Sequence, residues 1–586
     1  MYWGNKHKLY MRNKNLLPTM LICILLITTA LTTTSISIDQ KNADRKNSSK
    51  RCIIYVGGTG PNNYSTIQEG IDAANNGDTV FVYNKTYHEH ITINKTIKLI
   101  GENRENTIID GDNKDNIVEI NANNVTIIGF TIQNGSKGIL IYREQNYNII
   151  SYTGYTNWEN NTITKNIITR TSFAAIFLKH SSHNYIAENN ITSNTGYGGY
   201  GIFLEWSDNN NITKNNITNN SGSGIYIITS GNNNDISDNN ITKNQCGFMG
   251  SGYNNNLFRN NISDNTLYGI VANFYRNSII CKNKIMGNKY GIHLSARAYN
   301  NQITKNNITN NTEDGLWISG APPYISYRNT VYNNSITHNG RNGVYLLRVN
   351  HSQIYNNKIK NNQNGIYIER STYNTVSNNI IKNHQTNGIY LYLGNNNIIE
   401  ENTIKNNQNG IKIDSSDNNY IVHNSLIDNI YFNAYDNGDN NQWDNGYPAG
   451  GNHWSDYYQL DMFSGANQNQ PNPDGIGDTP YFIPPYGDAQ DHYPLMHPYP
   501  NSFFVRGDCN GDSKVSSADL ICLANYIFNN GPQPVGIDMQ PNMNSGDLND
   551  DNQVTQTDLV YLANFILLGG TCPLPPYPLP GVDPTP

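Results

Sequence analysis

Apolar residues follow a short repeating pattern from about residue 138 to residue 430. In each repeat a small residue is followed by an apolar-x-apolar triplet, and then by N-x-I-x-x-N-x-I-x-x-N, as in the stretch from Asn397 to Asn407. Most repeats are 22 to 24 residues long. The small residues that open the triplets are Gly138, Ala175, Gly201, Gly224, Gly247, Gly269, Gly291, Gly315, Gly343, Gly365, Gly388 and Gly410.

This pattern predicts three short β-strands per repeat, because apolar residues alternate with polar ones and turn residues separate the runs. Strands of this kind pair with their copies in the next coil at a spacing of about 4.8 Å. Asn at the corners accepts left-handed backbone geometry and can hydrogen-bond along the stack as a ladder. The sequence therefore predicts an all-β parallel β-helix, a solenoid with coils of about 22 residues.

The middle residue of each triplet is predicted to point outward, since the first and third residues point into the core. The outward column reads Phe177, Phe203, Tyr226, Met249, Val271, His293, Trp317, Tyr345, Tyr367, Tyr390 and Lys412. Its four consecutive aromatic residues, from Trp317 through Tyr345 and Tyr367 to Tyr390, are candidates for binding sugar rings. The alternative is a purely structural tyrosine ladder on an exposed sheet.

Two insertions interrupt the repeat, and each leaves the coil just after a triplet. One lies between Gly138 and Ala175 and carries Trp158, a further candidate for glycan binding. The other is APPYISYRN at residues 321–329. Long loops on a rigid scaffold are frequent places for binding sites, and both insertions are expected to flank the aromatic column.

The start of the chain resembles an export signal. Lys6, Lys8, Arg12 and Lys14 precede the apolar run at 20–27, and small and hydroxyl residues follow. No A-x-A cleavage site is present, so an uncleaved anchor is the alternative, and no other stretch is long enough to span a bilayer. Charged residues make up 15 % of the chain and its formal net charge is -7, which argues against a nucleic-acid partner. We expect a secreted or surface-associated protein.

A short unit occurs twice near the end of the chain, starting at Asp508 and again at Asp547. Each copy places acidic or amide side chains at positions 1, 3, 5 and 12 of a twelve-residue loop, with a backbone carbonyl at position 7, which is the ligand pattern of a calcium loop. A helix with one apolar stripe follows each loop. The predicted calcium ligands are Asp508, Asn510, Asp512, Lys514 and Asp519 in the first loop and Asp547, Asn549, Asp551, Gln553 and Asp558 in the second.

The two loop–helix units resemble type I dockerins over residues 505–572. The resemblance implies two bound Ca²⁺ ions and a cohesin-like partner, contacted through positions 10 and 11 of each loop. The residues at those positions are Ser517, Ala518, Gln556 and Thr557. Position 6, normally Gly, is Ser513 in the first loop and Asn552 in the second. Since Asn accepts left-handed geometry more readily than Ser, the first loop is expected to bind Ca²⁺ more weakly.

Two stretches outside the Asn-rich coils carry a second resemblance. The sequence IIYVGGTGPNNYSTIQEGIDAANNGDTVFVYN from residue 53 resembles the N-terminal cap of pectin-lyase-like right-handed β-helices, with a cap helix at Ser65–Asn75. The coils, together with GNHWSDYYQLD (451–461), PDGIGDTPY (473–481) and DHYPLMHP (491–498), resemble the NosD-like family, named for a periplasmic protein of copper-enzyme maturation. This resemblance implies a right-handed β-helix in an exterior location.

A copper role would rest on His and Met side chains of the closing segment, residue types that suit copper. The candidates are His453, Met462, His492, Met496 and His497. The alternative for this segment is that its aromatic residues simply cap the solenoid.

The pattern assigns no catalytic residue. Sugar-cleaving sites need carboxylates, or a base with Ca²⁺, grouped on one coil face, and acidic residues do not recur at equal phase in neighbouring coils. His88, Glu89 and His90 form a tight cluster in the cap, for which a metal site and a capping loop are the alternatives. Asp110 and Asp112 are predicted to lie in a turn.

Seven cysteines are too few for a disulfide scaffold. Cys509, Cys522 and Cys572 fall in the doubled unit, where one disulfide can form. Cys509–Cys572 is a candidate pair, and the sequence leaves the connectivity open.

These patterns divide the chain into six predicted segments. They are a signal or anchor with linker at 1–50, a cap with the first coils at 51–137, Asn-rich coils at 138–430, a NosD-type closing segment at 431–500, a dockerin-like domain at 503–572 and a Pro-rich tail at 573–586. We predict an exported β-helix that binds glycans or acts as a surface scaffold or adhesin, attached through the calcium-dependent module. The alternatives are a polysaccharide lyase or glycoside hydrolase carried by the dockerin, and a NosD-like copper or metal accessory protein.

Overall fold

The structure is a computed structural model, and it describes most of the chain from Arg51 onward. The described residues are 51–142, 158–229, 231–485, 487–499, 505–512, 514–529, 531–535, 545–549 and 553–568, with Gly570 and Pro573. The predicted export signal, Ser513, Asp551, Asn552 and Cys572 lie outside these residues.

The solenoid has three stacks of parallel strands, as the three alternating runs per repeat predict. The first stack is a sheet of 16 strands. These are Ile53–Val56, Thr79–Val82, Lys98–Gly101, Thr126–Ile128, Thr162–Thr164, Tyr185–Ala187, Asn211–Thr213, Asp235–Ser237, Asn256–Phe258, Ile279–Cys281, Gln302–Thr304, Thr330–Tyr332, Gln353–Tyr355, Thr375–Ser377, Ile398–Glu400 and Tyr420–Val422.

The second stack carries the second N-x-I run of each repeat. It contains Lys85–His88, Thr107–Lys114, Asn190–Thr192, Asn216–Thr218, Asn240–Thr242, Asn261–Ser263, Lys284–Met286, Asn307–Thr309, Ser335–Thr337, Lys358–Lys360, Ile380–Lys382, Thr403–Lys405, Ser425–Ile427 and His453–Trp454. Two long strands, Thr131–Tyr142 and Ile167–Lys179, belong to both this stack and the next one.

The third stack carries the triplets. It contains Ile91–Ile93, Val118–Ile120, Tyr200–Glu205, Ile225–Ile228, Cys246–Tyr253, Tyr268–Arg276, Tyr290–Ser295, Leu316–Ser319, Asn342–Leu347, Asn364–Glu369, Asn387–Tyr392, Asn409–Asp414 and Phe432–Asp436. A short parallel pair, Ser326–Tyr327 with Val349–Asn350, lies between the third and first stacks. Antiparallel pairs in the closing segment join Phe463–Ser464 to Gln470–Pro471 and Tyr481–Ile483 to Ala489–Asp491.

The described residues form three helices, and their starts are capped. The cap helix runs from Ile67 to Ala73, with a capping box between Thr66 and Glu69, and is shorter than the predicted Ser65–Asn75. The other two, Ser517–Asn529 and Gln556–Leu568, are the predicted helices of the doubled unit. None of the helices in the part of the chain that the structure describes is long and apolar enough to cross a membrane.

The core confirms the inward and outward alternation. Ile366, Ile368, Ile389 and Leu391, the first and third residues of two neighbouring triplets, are fully buried. β-Branched side chains suit a pleated surface, and stacking identical coils lets each isoleucine meet its copy above and below.

The buried asparagines form continuous ladders along the solenoid. Asn239 is typical: its N–H and its Nδ2 both donate to Oδ1 of Asn260 at 3.0 Å, and Nδ2 also donates to the carbonyl of Ile212 at 2.9 Å. One such ladder runs through Asn166, Asn189, Asn215, Asn239, Asn260, Asn283, Asn306, Asn334, Asn357, Asn379, Asn402, Asn424 and Asn452. The ladder satisfies backbone groups at the corners that would otherwise be buried without partners.

The predicted corner geometry needs one correction. The left-handed residue and the ladder asparagine are two neighbouring residues, not one. Asp238, Arg259 and Lys282 have φ values of 57°, 51° and 57°, and each directly precedes a ladder asparagine. Only the ladder position needs a side chain that both donates and accepts, which asparagine supplies in most coils, so the surface position before it tolerates charged residues.

Candidate functional site

In the first loop of the doubled unit, side-chain oxygens are held by backbone N–H groups. Asp508 Oδ1 accepts the N–H groups of Gly511 at 2.8 Å and Asp512 at 3.2 Å. Asn510 and Asp512 each accept the N–H two residues further on, at 2.9 Å. Asp508 and Asp519 are both buried. Backbone hydrogen bonds thus hold the loop carboxylates in one turn without the help of a cation.

The last acidic residue of each loop also starts the following helix. Asp519 accepts the N–H of Ser516 at 2.9 Å through Oδ2 and a loop N–H at 3.1 Å through Oδ1. Asp558 accepts the N–H groups of Thr555 and Leu548, both at 2.8 Å, and that of Asn549, the counterpart of Asn510, at 3.4 Å. Because one carboxylate serves loop and helix cap together, ordering the loop also orders the helix.

The donor set fits a Ca²⁺ ion. Burial raises the pKa of Asp519, and the negative charge of Asp512 raises it further. Buried carboxylates are stable when they are paired or coordinate a metal, and Ca²⁺ prefers carboxylate, amide and carbonyl oxygens. The residues that would hold it are Asp508, Asn510, Asp512, Lys514 and Asp519 in the first loop and Asp547, Asn549, Gln553 and Asp558 in the second. Asp551, the remaining predicted ligand, lies outside the described residues.

Both helices of the doubled unit present apolar side chains to solvent. The predicted partner-contact residues Ser517, Ala518, Gln556 and Thr557 are exposed at the helix starts. Sequence reasoning missed Ile521 and Phe528, which are 65 % and 57 % exposed, and their counterparts Val560 and Leu567, at 59 % and 68 %. These residues lie off the buried apolar stripe at the same place in each copy, and that recurrence is the signal that could have found them.

A disulfide joins Cys509 to Cys522 and ties the first loop to its helix. The candidate pair Cys509–Cys572 is therefore wrong, because the fold brings the Cα atoms of Cys509 and Cys522 to 5.9 Å, within bonding range. In the second copy Leu548 and Tyr561 stand at the equivalent positions and pack in the same small core.

The outward column is in register from coil to coil, and its rings stack. His293, Trp317, Tyr345, Tyr367 and Tyr390 are direct neighbours in successive strands. The ring centroids of His293 and Trp317 are 3.7 Å apart at 4°. Those of the three following pairs are 5.8, 5.0 and 4.8 Å apart at 18°, 10° and 9°. The rings therefore lie face to face along the solenoid axis.

This stacking changes what the column can offer a sugar. The four candidate residues are half-buried, because each ring covers its neighbour's face. A sugar that stacks on an aromatic residue needs a free face, so a ligand would meet ring edges and hydroxyl groups here. Tyr345 donates its hydroxyl to Glu369 at 2.6 Å. Burial, and then the charge of Asp414, raise the pKa of Tyr390 to about 12.

The described residues of the two insertions contact other parts of the solenoid. Trp158, at the end of the first insertion, is half-buried and packs against the solenoid core, and residues 143–157 lie outside the described residues. Tyr324, in the second insertion, contacts Phe274 and Arg297 at the corner that follows the triplet stack.

The cap contains the one group of three close His, Cys, Asp or Glu side chains found among the described residues. The ligand atoms of His88, Asp110 and Asp112 all lie within 4.8 Å of one another. His88 Nδ1 is 2.7 Å from Asp112 Oδ1. Asp110 is buried and accepts the side-chain amides of Gln133 and Asn134, both at 2.8 Å. This group brings one imidazole and two carboxylates, all of them possible metal ligands, together at one place.

The neighbours of that group have structural roles. Glu89 accepts the N–H groups of Ile67 and Gln68 at 2.9 and 3.1 Å, so it stabilises the N-terminus of the cap helix. The predicted turn at Asp110 and Asp112 is wrong: both lie in the strand Thr107–Lys114. Left-handed geometry at Asp112, with φ 52°, accompanies a bulge between Asp110 and Lys114, after which the strand pairs again.

His453 and His492 of the closing segment contact different partners, and His453 also lies near enough to His497 to feel its charge. His453 Nδ1 lies 3.0 Å from the carbonyl of Leu495, and His492 Nδ1 lies 2.9 Å from Asp444. Neither belongs to a group of three close His, Cys, Asp or Glu ligand atoms in the described part of the chain. Buried Asp491 accepts the indole N–H of Trp454 at 2.8 Å, an arrangement typical of a capping segment.

Three family models match parts of this chain. Residues 324–459 match "Periplasmic copper-binding protein (NosD)", residues 62–261 and 174–331 match "Right handed beta helix region", and residues 506–568 match "Dockerin type I domain". The predicted parallel β-helix with a C-terminal dockerin-like module is thereby confirmed. Type I dockerins bind calcium and cohesins, and they occur in secreted proteins. No curated protein matches the sequence.

Among solved structures, the chain is similar to other proteins in fold. The A-module of the mannuronan C-5 epimerase AlgE6 of Azotobacter vinelandii is 16 % identical, covers 64 % of this chain and 92 % of its own, and has a TM-score of 0.37. PfbA, a surface adhesin of Streptococcus pneumoniae, is 16 % identical, with 57 % and 88 % covered and a TM-score of 0.38. The catalytic domain of a GH87 α-1,3-glucanase is 13 % identical, with 63 % and 68 % covered and a TM-score of 0.39. Likeness of this degree carries no inference about activity.

Proposed function

We propose that this parallel β-helix protein, which ends in a type I dockerin-like domain, is an extracellular scaffold or adhesin that engages carbohydrate and is held in a larger assembly by its dockerin. A β-helix combined with a dockerin is the domain composition of an extracellular, carbohydrate-related protein. The N-terminal residues, which carry the pattern of an export signal, agree with that location.

The duplicated loop is the observation that carries the proposal. In both copies the first and last carboxylates of the loop are buried, and the last one caps the helix. Two Ca²⁺ ions, one per loop, would neutralise these carboxylates and so stabilise both helices. The hydrophobic core of the module, centred on Leu523 and Leu562, is small, so the module needs the additional stabilisation that bound Ca²⁺ would give.

Calcium binding would present the docking face. Once the helices are ordered, Ser517, Ala518, Gln556 and Thr557 stand at their exposed starts. Ile521 and Val560, one turn further along their helices, extend this surface. Exposed apolar side chains of this kind carry much of the binding energy of protein interfaces. The partner we propose is a cohesin-like protein.

The solenoid is the part proposed to meet carbohydrate. Its ladders and isoleucine core form a rigid rod, and the stacked aromatic column displays tyrosine hydroxyls that pair with Glu369 and Asp414. Hydroxyl–carboxylate pairs on a rigid sheet can hydrogen-bond sugar hydroxyls without a large ordering cost.

A second candidate function is carbohydrate cleavage, favoured by one observation. His88 and Asp112 form a hydrogen-bonded pair beside the buried carboxyl group of Asp110, a geometry that general acid–base chemistry can use. A NosD-like metal role has less support, because the described part of the closing segment holds no group of three close His, Cys, Asp or Glu ligand atoms.

The experiment that separates these functions uses one purified protein for two assays. A glycan array measures binding, and a reducing-end assay on the bound polysaccharides measures cleavage. Binding without new reducing ends supports the scaffold. New ends that disappear in His88→Ala support the enzyme, and no binding to any glycan refutes the carbohydrate role.

A further inference from the structure

A groove of about 560 Å³ opens where the second insertion meets the solenoid. Its floor is a column of residues on four successive coils, Arg276, Tyr299, Tyr327 and Asn350, joined by parallel bridges. Three coil steps of about 4.8 Å make this floor about 14 Å long. That length suits several linked sugar units better than a single one.

The insertion forms one wall of the groove. Ala321 and Tyr324 are joined by an antiparallel bridge, which closes the insertion into a tight turn. The guanidinium of Arg297 lies 4.0 Å from the ring centroid of Tyr324, and Phe274 meets the same ring edge-on at 6.0 Å. Arg297 and the wall therefore support each other.

The groove is cationic. Arg276, Arg297 and His351 line it, and none of its described lining residues carries a carboxylate. Neither Arg276 nor Arg297 is among the arginines that form ion pairs in the described part of the chain. Arg276 lies over the ring of Tyr299 at 5.2 Å, and its Nε is buried without a hydrogen-bond partner. The Arg276 side chain is otherwise partly exposed and forms no ion pair among the described residues, so its remaining guanidinium nitrogens can receive an anion from solution.

We propose that this groove binds an acidic oligosaccharide, with a carboxylate or sulfate group of the sugar on Arg276 and Arg297. The planar fork of a guanidinium matches both of these anionic groups. The exposed side chains of Ile325 and Tyr327, 46 % and 37 % accessible, give the sugar ring an apolar contact beside the arginines. The inference rests on the proposed carbohydrate role of the solenoid and assigns it a place and a charge.

A single-stranded nucleic acid would also bring anions and rings to such a groove. The rings of Tyr299 and Tyr327 already stack on each other, 5.1 Å apart at 8°, so they offer no platform on which successive bases could stack. It is therefore an outcome of the test and not the proposed ligand.

The test measures binding of labelled oligosaccharides to the full chain by fluorescence anisotropy. The probes are an oligogalacturonate, a chondroitin sulfate oligosaccharide, a neutral cello-oligosaccharide and a single-stranded DNA. Carboxylate and sulfate sources are thus read separately. The variants are Arg276→Gln, the double variant Arg276→Gln/Arg297→Gln, and Arg328→Gln as the matched control. Arg328 is an exposed arginine of the same insertion that does not line the groove.

The wild type is expected to bind at least one acidic probe and to ignore the neutral one. Loss of a charge-assisted hydrogen bond should weaken binding about tenfold or more in Arg276→Gln, and further in the double variant. Arg328→Gln should bind like the wild type. Arg276→Gln leaves the insertion wall intact, so it stays informative if loss of Arg297 disturbs the wall.

Unchanged affinity in Arg276→Gln, equal loss in Arg328→Gln, or preference for the DNA would each overturn the inference. Binding of the neutral probe alone would overturn it and leave the proposed carbohydrate role standing. Failure to bind any of the three saccharides would overturn the inference, and the glycan array would then decide the broader carbohydrate role.

Discussion

Replacing His384 by asparagine should remove most of the acid sensitivity of the coils around it. His384 stands in an asparagine ladder, between Asn362 and Asn407. The N–H of Asn362 donates to its Nδ1 at 3.2 Å, and Nε2 lies 3.2 Å from the carbonyl of Ile359. Since Nδ1 must accept, Nε2 carries the proton, and the neutral ring copies the accept-and-donate pattern of an asparagine amide.

The size of the effect follows from the pKa. His384 is 3 % exposed, and burial lowers its pKa from 6.5 to about 4. Because the folded-state pKa lies below the ordinary value, the stabilisation is fully present above about pH 6.5 and is lost as the pH falls toward 4. A gap of about 2.5 pH units corresponds to about 3 kcal/mol. Asparagine has no proton to gain and keeps the ladder.

Hydrogen exchange at pH 7.5 and pH 4.5, corrected for intrinsic rates, measures the local opening free energy of each coil. In the wild type the coils from Asn362 to Asn407 should lose about 2 to 3 kcal/mol at the lower pH, and in His384→Asn almost nothing. The coil of His293, whose pKa burial also lowers to about 4, should stay acid-sensitive in both proteins and serves as the internal reference. Equal acid sensitivity of residues 362–407 in both proteins would refute the reasoning.

Three further predictions concern other parts of the chain. Asp508→Ala/Asp547→Ala should increase hydrogen exchange throughout residues 505–568 and leave the solenoid strands protected. Asp547→Ala alone should increase exchange more than Asp508→Ala alone, because Asn552 suits the loop turn better than Ser513. Equal increases in the two single variants would contradict that ranking. Cys509→Ser/Cys522→Ser should lower the unfolding free energy of the same module, measured by hydrogen exchange, by about 3 kcal/mol, since the bond closes a short loop. An unchanged unfolding free energy would contradict a stabilising disulfide. Replacing Trp317, Tyr345 and Tyr367 by alanine should abolish retention on a polysaccharide column while the circular dichroism of the strands persists, and unchanged retention would leave these rings a structural role alone.

The coil architecture could be predicted from the sequence because each rule acts over a few residues. The alternation around Ile366 and Ile368 fixes which side chains enter the core, and the repeat length fixes the register of Trp317 on Tyr345. The doubled loop could be predicted equally well, since Asp508 and Asp519 keep the spacing of calcium ligands.

Features that depend on contacts between coils were not predictable in the same way. Ring stacking covers the faces of the aromatic column, which the outward direction of Tyr367 alone does not reveal. The groove needs Arg276, Tyr299 and Tyr324, which come from three separate stretches of sequence. Cys522 pairs with Cys509 because helix and loop fold back on one another, and no spacing rule specifies that choice.

Calcium titration of the full chain by isothermal calorimetry tests the central claim most directly. We expect binding of two Ca²⁺ ions, loss of both in Asp508→Ala/Asp547→Ala, and an unchanged β-sheet signal in chelator, because the solenoid core does not depend on the loops. Absence of calcium heat, or the same heat in the double variant, would contradict a calcium-ordered dockerin.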